Sequence, residues 1–176
     1  MQSIKRFTLF TCILAMAALP ALVHASGLMY AANYNDNSYT KCNMVNDKPV
    51  GCTKVFIKDS SGQNMLSGPS DIAFYDSYVY ITNQTSNSYT QCHVENDNID
   101  LTTCNTYKPS GKGALSAPSS IKFSGTEVYI TNIKNNTYTQ CNVQENGIDP
   151  NSCTTVHPYK AESQLLSYPA AITIIG

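Results

Sequence analysis

The sequence predicts an all-β protein made of three copies of one unit. Three observations carry that reading. Landmark residues recur at a period of about 49–50 residues. Short runs rich in Tyr, Val, Ile and Thr alternate with turns rich in Asn, Ser and Gly. Beyond residue 25, no stretch sustains the 3.6-residue period of a helix.

The repeat is read directly from the residues. Tyr30-Ala31-Ala32-Asn33 returns as Tyr80-Ile81-Thr82-Asn83 and as Tyr129-Ile130-Thr131-Asn132. Ser38-Tyr39-Thr40-Lys41-Cys42 returns as Ser88-Tyr89-Thr90-Gln91-Cys92 and as Thr137-Tyr138-Thr139-Gln140-Cys141. A second cysteine follows each time, at Cys52, Cys104 and Cys153. Each unit closes on Ser-x-Pro and an apolar alternation: Pro69 before Ile72 and Phe74, Pro118 before Ile121 and Phe123, Pro169 before Ile172 and Ile174. The repeats span approximately 27–74, 75–123 and 124–176.

Within the middle unit, four strands are expected. Residues 70–74 alternate after a proline breaker, and 78–82 are β-branched and aromatic. A polar turn at 83–87 leads to a third strand at 88–94. A turn at 95–100 leads to a fourth at 101–107, and a Gly/Ser/Lys loop at 108–113 returns to the next unit. Residues 170–174 are expected to form a lone strand of the same kind as 70–74.

Composition narrows the functional classes. Only 13% of the 176 residues are charged and the formal net charge is −1. This excludes a basic nucleic-acid binder or a polybasic membrane-surface protein as the leading idea. A hydrophobic share of 42% argues against disorder. Residues 1–25 have a basic start (Lys5, Arg6), an apolar run from about Phe7 to Val23, and the small-residue ending Val23-His24-Ala25. They read as a signal peptide cleaved before Ser26. A membrane anchor is disfavoured by the short run and by Pro20. A lipoprotein signal is disfavoured because Leu9-Phe10-Thr11 puts no clear small residue before Cys12. Cleavage leaves 151 residues, net charge −3, no arginine and no second apolar stretch long enough to span a bilayer. Without the guanidinium fork, phosphate recognition loses its favoured tool. The expected location is the periplasm or the extracellular space.

Six cysteines then remain, two per unit, which in an exported chain predicts a disulfide framework. The repeat favours Cys42–Cys52, Cys92–Cys104 and Cys141–Cys153, each flanking one turn. The midpoint of each segment predicts a three- or five-residue hairpin loop. Zinc ligation is disfavoured, because nine or eleven residues separate the members of each pair.

Four short antiparallel strands in 40–50 residues make the unit of a β-propeller blade, which must stack on its neighbours to bury its faces. The order Pro-x-x-Ile-x-Phe, Val-Tyr-Ile-Thr-Asn, polar turn and Thr-x-Cys resembles bacterial NHL/YVTN-type propeller repeats of the secreted, cysteine-paired variety. The resemblance covers nearly all of residues 27–175. It implies that the proline-led strand lies innermost, at the channel. A β-trefoil, which also has three four-stranded repeats, is the alternative fold. Closed propellers usually have four or more blades. Three units in permuted order therefore leave three assemblies open: a cramped ring, an open arc, or a homodimer sharing a six-bladed ring.

Candidate site residues are few. Asp71 opens an inner strand where the other units carry Ser120 and Ala171. The resemblance implies that an acid there could help hold a divalent metal, as in propeller lactonases, with calcium the hard cation to consider. Asn33, Asn83 and Asn132 follow the second strand of each unit. They read as turn-bonding residues, with channel lining as the second reading. Tyr30, Tyr80, Tyr129, Tyr39, Tyr89 and Tyr138 read as packing between units, with sugar stacking beside it. His93 and His157 lack a serine–acid constellation, and there is no Gly-x-Ser-x-Gly elbow or phosphate-binding glycine loop. Asn83-Gln84-Thr85 and Asn135-Asn136-Thr137 match a glycosylation acceptor that matters only in a eukaryotic secretory route. The sequence thus predicts an exported, non-catalytic repeat module that binds a protein or carbohydrate ligand, with no cofactor. A lactonase-like propeller hydrolase and a structural envelope or surface protein are the alternatives.

Overall fold

A computed structural model describes residues 27–160 and 163–175. The expected signal peptide and Cys12 lie outside the described residues. The protein is all-β. Strands β1 (Gly27–Asn33), β2 (Ser38–Val45) and β3 (Lys48–Val55) form a first antiparallel sheet in that order. Strands β4 (Pro69–Tyr75), β5 (Tyr78–Asn83), β6 (Ser88–Glu95) and β7 (Asn98–Ile99) form a second, with β8 (Asn105–Tyr107) also pairing β6. Strands β9 (Pro118–Ser124), β10 (Glu127–Asn132), β11 (Thr137–Gln144) and β12 (Gly147–Ile148) form a third, with β13 (Thr154–Val156) pairing β11. A two-stranded ribbon, β14 (Tyr159–Lys160) and β15 (Ser163–Gln164), follows.

Alternation decides where the core lies. In β5, Val79 and Ile81 point to one face and Tyr80 to the other, and all three are buried. The middle sheet is therefore covered on both sides. Val79, Ile81 and Cys92 pack with Tyr39, Ile57 and Leu66 in a layer against the first sheet. Tyr80 and Tyr89 pack with Ile121, Val128, Ile130 and Ile148 in a layer against the third. The same aromatic contact occurs in both layers. Tyr30 of β1 meets Phe74 of β4, and Tyr80 of β5 meets Phe123 of β9, each with ring centroids 4.8 Å apart. Offset or tilted ring pairs of this kind add about 0.5–1.5 kcal/mol beyond the area they bury.

The hairpins differ from expectation. In the first and second sheets the β2–β3 and β6–β7 loops have two residues, Asn46-Asp47 and Asn96-Asp97, closed by the pairs Val45↔Lys48 and Glu95↔Asn98. All four loop residues have positive φ, 49° to 60°. That is the turn whose twist matches the strands, and Asn and Asp tolerate it. In the third sheet the positive φ falls on Gly147, at 105°, where a Cβ would overlap the Gln91 side chain. The turns lie where the sequence places them, but counting residues between cysteines overestimates the loop length, because the extra residues lie elsewhere. In the first sheet a register shift between Lys41 and Asn43 absorbs them. In the second, residues 101–107 are not one strand. Asp100 accepts from Thr102 N at 2.9 Å and caps a 3₁₀ turn over Leu101–Thr103, and only Asn105–Tyr107 returns to the sheet. The loop at 108–113 contains a second 3₁₀ turn, Gly111–Gly113.

Residues 170–174 are not a strand. They pair with no strand among the described residues, so their alternation is not expressed as a ladder within this chain.

Three disulfides join Cys42 to Cys52, Cys92 to Cys104 and Cys141 to Cys153. Each closes a short loop within one sheet, which contributes on the order of 2–3 kcal/mol by restricting the unfolded chain. Three such bonds fit an oxidising, extracellular-type environment. Among the described residues, no helix is long and apolar enough to cross a membrane.

The buried tyrosines make the core sensitive to alkali. Burial pushes the Tyr39 phenol up to about 12 from an ordinary 10. It raises Tyr80 and Tyr89 further, with neighbouring phenols and carboxylates adding to the effect. A raised folded-state value stabilises the neutral fold fully below the unfolded value and loses that contribution as pH rises through the folded one. Stability to urea is expected to hold up to about pH 10 and to fall between about pH 10 and 12. Phenolate absorbance should show a class of tyrosines that ionises only as circular dichroism is lost. Smooth titration of all tyrosines near pH 10 in the folded state would contradict the buried rings.

Candidate functional site

The asparagines single out the connections between sheets. Asn83 and Asn132 are fully buried at the ends of β5 and β10. The Asn83 side-chain oxygen accepts from Ser67 N at 3.1 Å, and its amide nitrogen donates to Thr90 Oγ1 at 2.8 Å. Asn132 accepts from Ser116 N at 3.0 Å and donates to Thr137 and Thr139. Asn33 donates to Ser38 Oγ and Thr40 Oγ1 in the same way. These side chains hold turns, and the burial of Asn83 and Asn132 keeps them from any ligand. The three asparagines are not brought together. Each bonds within its own part of the chain.

A second asparagine set reaches across sheets. Asn37, in the β1–β2 turn, accepts from Gly68 N at 2.7 Å. Asn87, in the β5–β6 turn, accepts from Ala117 N at 2.7 Å, and Asn136, in the β10–β11 turn, accepts from Tyr168 N at 2.8 Å. Gly68, Ala117 and Tyr168 each precede a proline and each has positive φ, from 47° to 60°. The sequence reading missed this set, although Asn37, Asn87 and Asn136 stand at the same place in every unit. An asparagine inside a polar turn looks like any other turn residue until its distant partner is seen.

Asp71 lies at the start of β4, just past a register shift between Pro69 and Asp71. Its backbone N donates to Thr82 Oγ1 at 2.9 Å. Its Oδ1 accepts from Ile72 N at 2.9 Å. Its Oδ2 accepts from Ser120 Oγ, Ile121 N and Lys122 Nζ, at 2.9, 3.0 and 3.0 Å. All three donors belong to β9, the corresponding strand of the next sheet. The carboxylate is therefore a clamp between two proline-led strands, filled by donors of its own chain. Nearby hydroxyls extend the clamp: Ser70 Oγ donates to Pro118 O at 2.8 Å, and Ser119 Oγ donates to Ala170 O at 2.6 Å. The sequence pointed to Asp71 but not to Ser120 or Lys122, because nothing local marks a residue about 50 positions away as its partner.

The remaining candidates do not converge on chemistry. His93 stands edge-on to Tyr78, with centroids 5.2 Å apart. His157 is exposed. The six cysteines are all disulfide-bonded. Among the described residues no group of three or more His, Cys, Asp or Glu is placed to hold a metal ion. Of the repeated tyrosines, Tyr80 and Tyr89 are completely buried and serve packing. Tyr30 is only partly buried. With Leu28, Phe74, Asp76, Val94 and Asp97 it lines an open groove between the first and second sheets. Its hydroxyl donates to Asp97 O at 3.2 Å, and Lys41 Nζ lies 5.9 Å from its ring centroid. Ring faces beside carboxylates can both stack on and hydrogen-bond a polar ligand.

No protein-family model matches the chain. No curated protein matches it either.

The clamp has a measurable worth. Asp71→Ala removes the acceptor from two backbone N–H groups, one hydroxyl and one ammonium. The Lys122 ammonium is open to water and loses little. The loss of the Ser120 and Ile121 partners is expected to lower unfolding free energy by about 2–3 kcal/mol. Asp71→Asn, which keeps one acceptor oxygen, should lose about half as much. Urea midpoints of the two variants check this. Wild-type stability in Asp71→Ala would remove the clamp from the account.

Proposed function

We propose that this chain is an exported, non-catalytic repeat module of the β-propeller type, related to NHL/YVTN repeats, that binds a protein or carbohydrate ligand. The observation that carries the reading is the use of the candidate residues. Asp71, the acid that stands where the other units carry Ser120 and Ala171, is filled by donors of the neighbouring sheet. The repeated asparagines and cysteines bond within the scaffold. One open surface where a ring stands beside carboxylates is the groove at Tyr30 and Phe74. The three four-stranded sequence units support reading the sheets as blades. The paired cysteines support an oxidising destination.

A lactonase-like hydrolase with channel calcium is the competing reading, and it makes a different demand on Asp71. A calcium site needs six to eight oxygens, several of them free carboxylate oxygens. Calorimetric titration of the purified chain with calcium separates the two. The module reading expects no stoichiometric binding, and the stability loss of Asp71→Ala should be independent of calcium. One tightly bound calcium per chain, abolished by Asp71→Asn, would overturn it in favour of the hydrolase. The groove is tested by screening neutral oligosaccharides and peptides and then comparing affinity in Tyr30→Ala. A loss of tenfold or more is expected. Unchanged affinity would place the binding surface elsewhere.

A further inference from the structure

Among the described residues, the first sheet lacks one strand that the other two possess. In the second sheet β5 is flanked by β4 and β6, and in the third β10 is flanked by β9 and β11. Their counterpart β1 pairs with β2 alone, and its other edge has no strand among the described residues. An open edge of unpaired N–H and C=O groups is a template for another strand. Residues 169–174 carry the missing sequence. Pro169, Ile172 and Ile174 repeat Pro69, Ile72 and Phe74 of β4 and Pro118, Ile121 and Phe123 of β9.

That segment is also held in the right place. Asn136 grips Tyr168 N as Asn37 and Asn87 grip the residues before β4 and β9. Ser119 Oγ reaches the carbonyl of Ala170 much as Ser70 Oγ reaches that of Pro118. The segment therefore stands where the next proline-led strand of the series would, with no sheet of its own among the described residues. Ile174 and Ile175 are exposed.

We infer that residues 169–174 of one chain pair with β1 of a second copy. The three-stranded first sheet and the lone segment are complementary parts of one four-stranded unit. The register follows from the other sheets. Ile81 and Ile130 pair Ile72 and Ile121 on one side and Thr90 and Thr139 on the other. Ala31, which pairs Thr40, stands at the same position. Ile172 thus falls opposite Ala31, and Ile174 opposite Met29.

The faces agree with this. Val79, Ile81 and Cys104 are buried against the first sheet, and Val128, Ile130 and Cys153 against the second. Their counterparts Met29, Ala31 and Cys52 are partly buried or exposed. At the far end, Tyr129 and Tyr138 occupy the places of the buried Tyr80 and Tyr89 yet are only partly buried. One copy's uncovered end is apolar where the other's needs a partner. Charge agrees as well. Lys41 Nζ of the first sheet bonds Asn98 in the β6–β7 hairpin of the second, at 2.7 Å. The matching pair across copies sets Gln140 and its bonded neighbour Glu127 against Lys48 of the second copy. Two such joints are related by a two-fold axis and close a ring of six sheets from two chains. This inference is independent of the ligand-binding reading.

Light scattering of the purified chain in dilute solution tests it first. A mass twice that of the chain is expected, falling to the single-chain mass in Ile172→Pro with the β spectrum intact. A monodisperse monomer of the unaltered chain would overturn the inference, as would an oligomer that Ile172→Pro leaves unchanged. Cross-linking fixes the register. Chains carrying Ala31→Cys, mixed with chains carrying Ile172→Cys, should form an inter-chain disulfide. Chains carrying Ala32→Cys, whose side chain faces the other way, should not. Equal cross-linking in both mixtures would overturn the pairing.

Discussion

The arrangement depends on one short hydrogen bond, made three times. A side-chain amide in the turn of one sheet accepts from the backbone of a left-handed residue just before the proline that opens the next. A left-handed conformation costs an L-residue roughly 1–2 kcal/mol. It persists at Ala117 because both neighbouring sheets fix it. The preceding sheet grips the left-handed residue itself, and in the second and third sheets a buried asparagine, Asn83 or Asn132, grips the residue before it. Proline then sets the direction of departure. With the strand entry fixed, Ser70 and Asp71 arrive beside β9, and Tyr80 arrives over Phe123. Moving the entry by one residue would exchange the two faces of the strand, sending Ile72 and Phe74 to the wrong side.

Within its sheets and between them, the chain uses hydroxyls and amides where many proteins use charge. Thr90 meets Thr106, and Thr139 meets Thr155, across strands at 3.0 and 3.2 Å. Neutral partners of this kind are cheap to bury compared with ions. That explains a chain in which only 13% of residues are charged and yet the middle sheet is covered on both faces. Asp71 is the exception. Its partial burial is offset by the four donors that converge on it.

Much of this was legible in the residues. The all-β class followed from period-two alternation and from the repeated landmarks. The cysteine pairs followed from their fixed place in each unit. What stayed hidden was governed by partners far along the chain or by small backbone choices. Residues 101–103 read as strand because Leu and Thr suit one. Asp100 instead bonds forward to Thr102 and winds the backbone into a 3₁₀ turn. The two-residue loops were obscured because a register shift and that turn add residues away from the loop itself. Asp71 stood out as an oddity, but its role lies in Ser120 and Lys122, which no local pattern connects to it. The segment at 170–174 has the alternation of a strand and no ladder partner among the described residues, a fact that only the sheet order exposes.

The disulfides carry a consequence for how such a chain matures. Each links cysteines ten or twelve positions apart, inside one sheet, and none ties one sheet to another. For the first cysteine of each pair, the partner is the next cysteine along the chain. Oxidation can follow the chain in the order of its synthesis, one bridge per unit. Among the described residues, the links between sheets carry no covalent bond. An uncompleted molecule then already holds finished, oxidised parts, and what it lacks can come from assembly alone.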